Sequence, residues 1–338
     1  MKDKIYFIAE IGVNHEANLS LAKKIILDAK KGGADAVKLQ SYKAEKIASK
    51  YAKAYWDKKE EKEDNQLKLY KKFDKFGNVD YQKIINYCKE IKIDFIITPF
   101  DLETINFFKN KVKYFKISSS DITNFPLIEK IAKTKKPIIL STGASNSKEV
   151  KEAVKLIKKY NKKITLLHCI LNYPTKRYDA NLGMIDDLQK RFKLPVGLSD
   201  HTNPKDSHDI LLLAAFKNIS MIEKHFTNDK SKKGNDHFHS FDKSDLIIFN
   251  QKILDVRRII GKKKKNFLKS EIVSRNNARR SLFYKKDLKK DTIIKSSDII
   301  SLRPAIGISP IFYRKVIGKK IKFDIKSGIK IKFSDFYK

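Results

Sequence analysis

The chain has 338 residues, of which 41% are hydrophobic, which is enough for one large domain and a small second one with buried cores. Its formal net charge is +35, from 74 basic and 39 acidic side chains, and lysines spread along the whole chain supply most of the excess. Arginine, the preferred reader of base edges and phosphates, is scarce, so this charge indicates a solvated surface rather than a nucleic-acid site. We therefore expect a soluble enzyme that binds no nucleic acid and attracts small anionic substrates.

Cysteine content argues against a disulfide-rich or zinc-binding protein, and hydropathy argues against an exported or membrane-spanning one. Cys88 lies in a helical pattern and Cys169 at a strand end, without the spacing of a disulfide framework or a zinc site, which fits a reducing compartment. An apolar run begins after only four residues, too soon for a signal peptide, and no long apolar stretch follows. We predict a cytoplasmic protein with no membrane partner.

Short apolar runs alternate with amphipathic helical patterns, which is typical of βα units around parallel strands. The predicted strands are 5–10, 36–40, 94–99, 114–119, 137–143, 165–169, 195–200 and 221–225. The clearest predicted helices are 19–31, 81–91, 147–160 and 204–216. Eight strands with crossover helices predict a TIM barrel. An open doubly wound sheet is the alternative, but it would want a Gly-rich phosphate turn after the first strand, where Gly12 stands alone.

Two segments depart from this alternation. The segment between the second strand and residue 81 is longer than an ordinary βα loop, so we expect an active-site lid or an excursion with its own helix. After Gly261 the pattern changes to a basic, polar stretch at 262–277, interpreted as a linker, and then to short alternating strands at 278–338. The predicted domains are thus a barrel at 1–261 and a small β-rich domain at 278–338.

The C-terminal ends of the predicted strands carry a dense set of polar residues, and this is the end at which TIM barrels build their active sites. His201 and His225 come from neighbouring strands and could converge as two imidazole ligands of a divalent metal. Lys38 and Lys116 lie inside the predicted barrel, where an ammonium group is costly unless it is paired or matched to an anion. With the serines and threonines around them, they suggest a phosphate or carboxylate pocket. A Schiff-base aldolase is the alternative use of such a lysine.

Seven motifs, in chain order, resemble the sialic acid (N-acetylneuraminate) synthase family: "AEIGVNHEANLSLAKKIILDAKKGGADAVKLQ", "TPFD", "KISSSDITNFPLI", "ILSTGAS", "HCILNYPT", "GLSDHT" and "EKHFTNDKSKKGNDH". The C-terminal "ARRSLFYKKDLKKDTI" and "DIISLRPAIGISP" are similar to the antifreeze-like (SAF) domain of that family. The resemblance implies a TIM barrel followed by a SAF domain of β-clip type. It also implies condensation of phosphoenolpyruvate with an N-acetylmannosamine-type aldehyde, giving a nine-carbon 2-keto acid and phosphate with Mn2+ or Mg2+ as the metal.

The resemblance also implies roles for single residues. His201 and His225 would be the metal ligands, and Glu10 and Asp121 the carboxylates nearest the reacting atoms. The residues implied to hold phosphoenolpyruvate are Lys38, Thr98, Lys116, Ser119, Ser141 and Ser199. Those implied to face the acceptor sugar are Gln40, Asn172, Tyr173, Asp236 and Arg303. In such a family Arg303 would reach the sugar from the small domain of the partner in a domain-swapped homodimer.

The acceptor sugar and the functional class each have an alternative. The family includes synthases of neuraminic, legionaminic and pseudaminic acids, and the "NHEAN" loop is more similar to the first two. N-acetylmannosamine is therefore the first predicted acceptor, and a 2,4-diacetamido-2,4,6-trideoxymannose, which leads to legionaminate, is the second. A non-enzymatic carbohydrate or polyanion binder is the alternative from another class. The chain keeps both histidines and both lysines that such a relative would be expected to lose.

Overall fold

The computed structural model describes residues 4–56, 58, 61–234, 236–262 and 264–337. The chain divides into two units, Met1–Ile259 and Ile260–Lys338. In the first unit eight parallel strands pair in chain order, and the eighth pairs with the first, which closes a barrel. The strands are β1 (Tyr6–Glu10), β2 (Ala36–Ser41), β3 (Asp94–Pro99), β4 (Tyr114–Ile117), β5 (Ile138–Ser141), β6 (Ile164–His168), β7 (Val196–Asp200) and β8 (Met221–His225). The predicted TIM barrel is confirmed, and the open doubly wound sheet is excluded.

Ten helices of the first unit, among the residues described, connect these strands. They are α1 (Leu19–Gly32), α2 (Ala44–Ile47), α3 (Gln66–Phe73), α4 (Asn78–Glu90), α5 (Thr104–Phe108), α6 (Phe125–Lys133), α7 (Ser147–Lys158), α8 (Gly183–Phe192), α9 (Pro204–Phe216) and α10 (Lys243–Ile260). Local sequence sets their starts. Asn18 caps α1 by accepting from the Leu21 N–H, and Asn146 with Glu149 forms a capping box at α7. The apolar faces of the helices pack on the outside of the barrel in one large buried cluster.

The barrel interior is layered, because successive side chains of a strand point to opposite faces. Its lower layer is an apolar plug formed by Ile8, Ala36, Ile96, Ile139, Leu167 and Met221. Two positions further along the same six chain segments stand Glu10, Lys38, Thr98, Ser141, Cys169 and Glu223. The strand period therefore places a layer of polar side chains directly above a closed apolar floor, at the C-terminal end of the barrel.

The second unit has its own core and its own small sheet. Its helices and strands are α11 (Ile272–Ala278), β9 (Ser281–Tyr284), β10 (Ile299–Leu302) and α12 (Tyr313–Val316), and β9 pairs antiparallel with β10. The buried core residues include Leu282, Tyr284, Ile294 and Val316. Helix α11 lies at the end of the stretch interpreted as a linker. Within the parts of the chain that the structure describes, no helix has both the length and the apolar character needed to cross a membrane.

Candidate active site

The C-terminal end of the barrel opens into a cavity of about 440 Å³. It is lined by the predicted residues Glu10, Lys38, Gln40, Thr98, Lys116, Ser119, Asp121, Ser141, Tyr173, Ser199, His201, His225 and Asp236. Two predicted site residues lie outside this lining. Asn172 is exposed in the loop after β6, and Arg303 is exposed in the second unit. The barrel thus brings together every predicted residue that it contains except Asn172.

The first group in the cavity surrounds Lys38, at the end of β2. Its ammonium group forms an ion pair with Glu10 Oε2 and donates a hydrogen bond to Thr98 Oγ1 at 3.1 Å. The other carboxylate oxygen, Glu10 Oε1, accepts from Gln40 Nε2 at 3.0 Å. Burial lowers the pKa of Lys38, but the charges of Glu10 and Glu223 outweigh burial and raise it above its ordinary value. Lys38 is therefore a fixed positive charge at the inner end of the cavity.

Gly12 makes room for this group. A Cβ atom at that position would lie 2.5 Å from Glu10 Oε1 and 2.8 Å from Gln40 Nε2. Any side chain there would push the carboxylate and the amide apart, so the lone glycine after β1 serves the geometry of the site rather than a phosphate turn.

The second group is formed by Lys116, Ser199 and Glu223. Glu223 Oε1 accepts from Ser199 Oγ at 3.0 Å and lies 3.5 Å from Lys116 Nζ. Burial raises the pKa of Glu223, but the charges of Lys116 and Lys38 outweigh burial and lower it to about 2. Burial lowers the pKa of Lys116, and Glu223 offsets this only in part. Glu223 is a site residue that the sequence predictions did not assign, although its place two residues after Met221 is a usable signal.

Small side chains line the adjoining wall. Ser141 Oγ is buried and has no hydrogen-bond partner among the described residues, so it is available to a ligand. Gly143 donates its backbone N–H to Cys169 Sγ at 3.1 Å, another contact that sequence reasoning missed. Asp121 ends a 3-10 turn after β4 and accepts from Asn124 Nδ2 at 3.0 Å. Burial raises the pKa of Asp121 despite that hydrogen bond.

His201 and His225 face each other across the opposite side of the cavity, with ring centroids 5.5 Å apart. His201 Nδ1 is 2.7 Å from the Ile170 carbonyl, to which it donates, so its Nε2 carries the lone pair. Burial and the neighbouring His225 lower the pKa of His201 to about 3, which keeps the ring neutral, the form that binds metals. Tyr173 packs on His201 at 4.3 Å between ring centroids.

A carboxylate and a third histidine adjoin this pair. His225 Nδ1 lies 3.1 Å from Asp236 Oδ2, and one ligand atom each of His225, Asp236 and His239 lie within 4.8 Å of one another. Imidazole nitrogen and carboxylate oxygen are the usual protein ligands of divalent transition metals, so these residues fit such an ion. His239 was not among the predicted site residues, and Asp236 was predicted to face the acceptor sugar rather than a metal. His239 is the last residue of the "DHFH" pattern after β8. Side chains in a loop follow no regular period, so the sequence does not show which way the His239 side chain points.

The outer wall of the cavity comes from the long segment between β2 and α4. Tyr55, Trp56, Leu69, Tyr70 and Phe73 line it, and Trp56 Nε1 donates to the Glu63 carbonyl at 3.0 Å. The predicted excursion with its own helix is therefore present as α2 and α3. It gives the outer part of the cavity an aromatic surface, in contrast to the charged inner end.

Comparison with known proteins agrees with this geometry. The NeuB family model matches residues 25–265, and the SAF domain model matches residues 279–336. The N,N'-diacetyllegionaminic acid synthase of Campylobacter jejuni is 40% identical over 322 residues, covering 94% of this chain and 95% of that protein. That of Legionella pneumophila is 36% identical over 333 residues, covering 96% and 92%. The crystal structure of N-acetylneuraminic acid synthetase from Leptospira borgpetersenii in complex with citrate is 32% identical, with a TM-score of 0.69 over 80% of this chain and 90% of that one. The chain therefore belongs to the NeuB family and carries a C-terminal SAF domain, as its seven motifs predicted.

Proposed function

We propose that this chain condenses phosphoenolpyruvate and water with an N-acylated amino-sugar aldehyde, giving a nonulosonic acid and phosphate. In this reaction a bond forms between C3 of phosphoenolpyruvate and the aldehyde carbon, water adds at C2, and the phosphate then leaves C2. The observation that carries the proposal is the polarity of one cavity. Two buried lysines occupy its inner end, and two histidines and a carboxylate occupy the facing side.

The inner end is suited to phosphoenolpyruvate because its donors include two lysines and the unpartnered Ser141 hydroxyl. Lys38 and Lys116 would meet the carboxylate and phosphate groups, with charge-assisted hydrogen bonds that gain strength away from water. The hydroxyl donors proposed to complete the pocket are those of Thr98, Ser119, Ser141 and Ser199. In the structure Glu10 and Glu223 balance the two lysines, so the carboxylates and an incoming anion would compete for the same ammonium groups.

The reacting centre lies between these two ends. His201 and His225 would hold Mn2+ or Mg2+, which when bound would polarise the aldehyde carbonyl of the acceptor. Glu10 accepts from Gln40 and pairs with Lys38, so its carboxylate is oriented to take a proton from the water that adds at C2. Asp121, whose pKa burial raises, is the carboxyl group better able to hold a proton for the new hydroxyl group.

The aromatic outer wall of the cavity favours one acceptor sugar over the other. At C4 N-acetylmannosamine carries a hydroxyl group and the 2,4-diacetamido-2,4,6-trideoxy sugar a second acetamido group; at C6 the first carries a hydroxymethyl group and the second a methyl group. Tyr55, Trp56 and Tyr70 offer apolar surface to such groups. This wall, with the names of the Campylobacter and Legionella relatives, leads us to place the diacetamido sugar first, reversing the order predicted from the sequence.

A Schiff-base aldolase remains the second candidate, because burial lowers the pKa of Lys116 and a neutral amine is the nucleophile of that chemistry. One assay separates the candidates. Phosphate release from phosphoenolpyruvate is measured with Mn2+ and each of the two sugars, with and without EDTA. The proposal expects release that requires both sugar and metal. Borohydride trapping of pyruvate on Lys116 would favour the aldolase, and binding of sugars without any release would favour the non-enzymatic binder.

We also propose that the enzyme works as a domain-swapped homodimer in the cytoplasm. Arg303 makes no hydrogen bond or ion pair with any described residue, and exposed apolar residues flank it in the second unit: Ile300, Leu302 and Ile306. Such a surface gains free energy when a partner covers it. The two cysteines, Cys88 and Cys169, are buried free thiols, which supports a reducing compartment.

A further inference from the structure

The feature that carries the inference is His239, at the end of the 3-10 turn His237–His239 that follows β8. Its side chain is fully buried, and neither ring nitrogen has a hydrogen-bond partner among the described residues. A buried imidazole without partners is unfavourable, since each polar atom loses its hydration without replacement. His168, by contrast, is buried with Nε2 at 2.8 Å from the Ala180 carbonyl. An unsatisfied, buried nitrogen lone pair indicates a ligand rather than a packing role.

The surroundings of His239 supply the other donors. Its ring centroid is 4.8 Å from that of His225, and its Nε2 lies 3.9 Å from Asp236 Oδ1. The second oxygen of the same carboxylate, Asp236 Oδ2, lies 3.1 Å from His225 Nδ1. Asp236 therefore stands between the two rings. We propose that Asp236 and His239 join His225 as protein ligands of the divalent cation.

The turn that carries these ligands is held in place by hydrogen bonds. Asn14 accepts from the Asp236 N–H at 3.1 Å and donates Nδ2 to Ser240 Oγ and the Phe226 carbonyl, each at 3.1 Å. Ser240 Oγ in turn donates to the Asp236 carbonyl at 2.6 Å. The loop after β1 thus fixes the backbone on both sides of His239, which preorganises the ligand positions before an ion arrives.

The neighbouring histidine on the same turn is directed elsewhere. His237 Nδ1 is 2.7 Å from Thr227 Oγ1, and its Nε2 is 3.3 Å from Glu16 Oε1. It is buried like His239, but its Nδ1 has a hydrogen-bond partner and its Nε2 lies beside Glu16, a carboxylate outside the proposed cation site. His237 therefore provides a matched control for His239, with the same residue type, the same turn and no role toward the cation.

The group His225, Asp236 and His239 offers two imidazoles and one carboxylate, which has a consequence for metal choice. Imidazole favours Zn2+, Co2+ and Fe2+, whereas Mg2+ prefers oxygen ligands and water. With His239 in the set, the site should bind Co2+ at least about tenfold more tightly than Mg2+. The inference rests on the proposed function in one respect: it takes this cation to be the one that the condensation uses. The inference itself concerns metal binding and not turnover.

The test is titration of the metal-free full-length protein with Co2+, followed by calorimetry and by the visible absorption of the bound ion. His239→Gln should weaken Co2+ binding at least about tenfold and change the absorption spectrum, whereas His237→Gln should change neither. His239→Asp, which returns a donor atom, should recover part of the lost affinity, which a packing role does not predict. Thermal unfolding of the metal-free variants checks that each is folded, and should one variant not fold, the other at position 239 carries the test.

Equal Co2+ affinity and an unchanged spectrum in a folded position-239 variant would overturn the proposal, as would a wild-type protein that binds no Co2+. His201→Gln, measured in the same way, tests the predicted ligand separately. Tight Co2+ binding through His239 in a protein that releases no phosphate from phosphoenolpyruvate would support this site and contradict the proposed reaction. The two failures are therefore distinguishable.

Discussion

Glu223 Oε1 lies 3.5 Å from the ammonium nitrogen of Lys116 at the closed inner end of the cavity. Both side chains are buried, and the carboxylate also holds the Ser199 hydroxyl by a hydrogen bond. An anionic substrate that binds Lys116 must compete with this carboxylate. On the proposed function, the pair would therefore tune both the affinity for the anion and the charge of the cavity.

The first prediction follows from that competition. Glu223→Gln keeps the shape and removes the charge, so Lys116 becomes more available to phosphoenolpyruvate. We expect the KM for phosphoenolpyruvate to fall severalfold, while Lys116→Met raises it at least about tenfold through loss of a charge-assisted bond. Steady-state kinetics at saturating acceptor measure both values. A higher KM in Glu223→Gln would mean that the carboxylate supports anion binding through Ser199 instead.

The second prediction concerns the acid stability contributed by Glu223. Its folded pKa of about 2 lies below its unfolded value of roughly 4.3, so the stabilisation is complete above about pH 4.3 and is lost as the pH falls toward 2. The contribution is on the order of 3 kcal/mol. In urea unfolding of metal-free protein, the difference in unfolding free energy between wild type and Glu223→Gln should shrink between pH 6 and pH 3. A difference that stays constant over that range would contradict the lowered pKa.

The third prediction concerns Gly12. Gly12→Ala places a methyl group against Glu10 and Gln40, at the distances given above, and should displace both side chains from the Lys38 group. We expect kcat/KM to fall at least about tenfold, with little change in unfolding free energy, because misplaced catalytic groups cost more in rate than in stability. Gly77→Ala is the matched control, since the nearest atom to its added Cβ, Asp80 Oδ2, is 4.0 Å away. Unchanged kinetics in Gly12→Ala would show that the Glu10–Gln40 contact is dispensable.

The fourth prediction concerns the outer face of the same strands. Lys224 is fully buried and donates to Asp200 Oδ2 at 2.9 Å and to the Thr202 carbonyl at 2.5 Å. Lys224→Met leaves the Asp200 carboxylate buried without its cation, so we expect a loss of about 3–5 kcal/mol in unfolding free energy. The double variant with Asp200→Asn should recover part of that loss. Lys113→Met, at the exposed pair with Asp94, is the control and should cost less than about 1 kcal/mol.

The Lys224–Asp200 ion pair is also relevant to the candidate site. Lys224 and Asp200 directly precede His225 and His201 in the chain, so their ion pair ties together the two strand ends that carry the histidines. If the single variant were as stable as wild type, this buried pair would not anchor those ends.

The sequence predicts the barrel well because each buried strand is a short apolar run between helical patterns. Side chains of a strand alternate between its two faces, which explains why Lys38, Thr98 and Ser141, each two residues beyond the apolar floor, also point into the barrel. Residues in loops were harder to predict. Trp56 lines the cavity and His239 lies beside Asp236, but both stand in loop segments without a regular side-chain period, so only the folded backbone shows where they point. Asn172 is exposed outside the cavity lining, because its position in a family motif does not determine the direction of its side chain.

The last prediction concerns Arg303, which the resemblance places near the acceptor sugar of the other subunit. A swapped arrangement divides each active site between two chains, because the cavity residues come from one barrel and Arg303 from the partner's small domain. His225→Ala and Arg303→Ala subunits should each be inactive alone, yet a mixed dimer contains one site in which both residues are intact. Mixing the two variants under conditions that allow subunit exchange should therefore restore up to about a quarter of the wild-type activity, since about half of randomly mixed dimers are mixed and each has one complete site. Sedimentation must show a dimer, and mass spectrometry of differently tagged subunits must show exchange. A monomeric wild type, or verified exchange without recovered activity, would exclude the swapped site, and a control mixture of His225→Ala with His201→Ala should recover nothing because both changes fall in the same barrel.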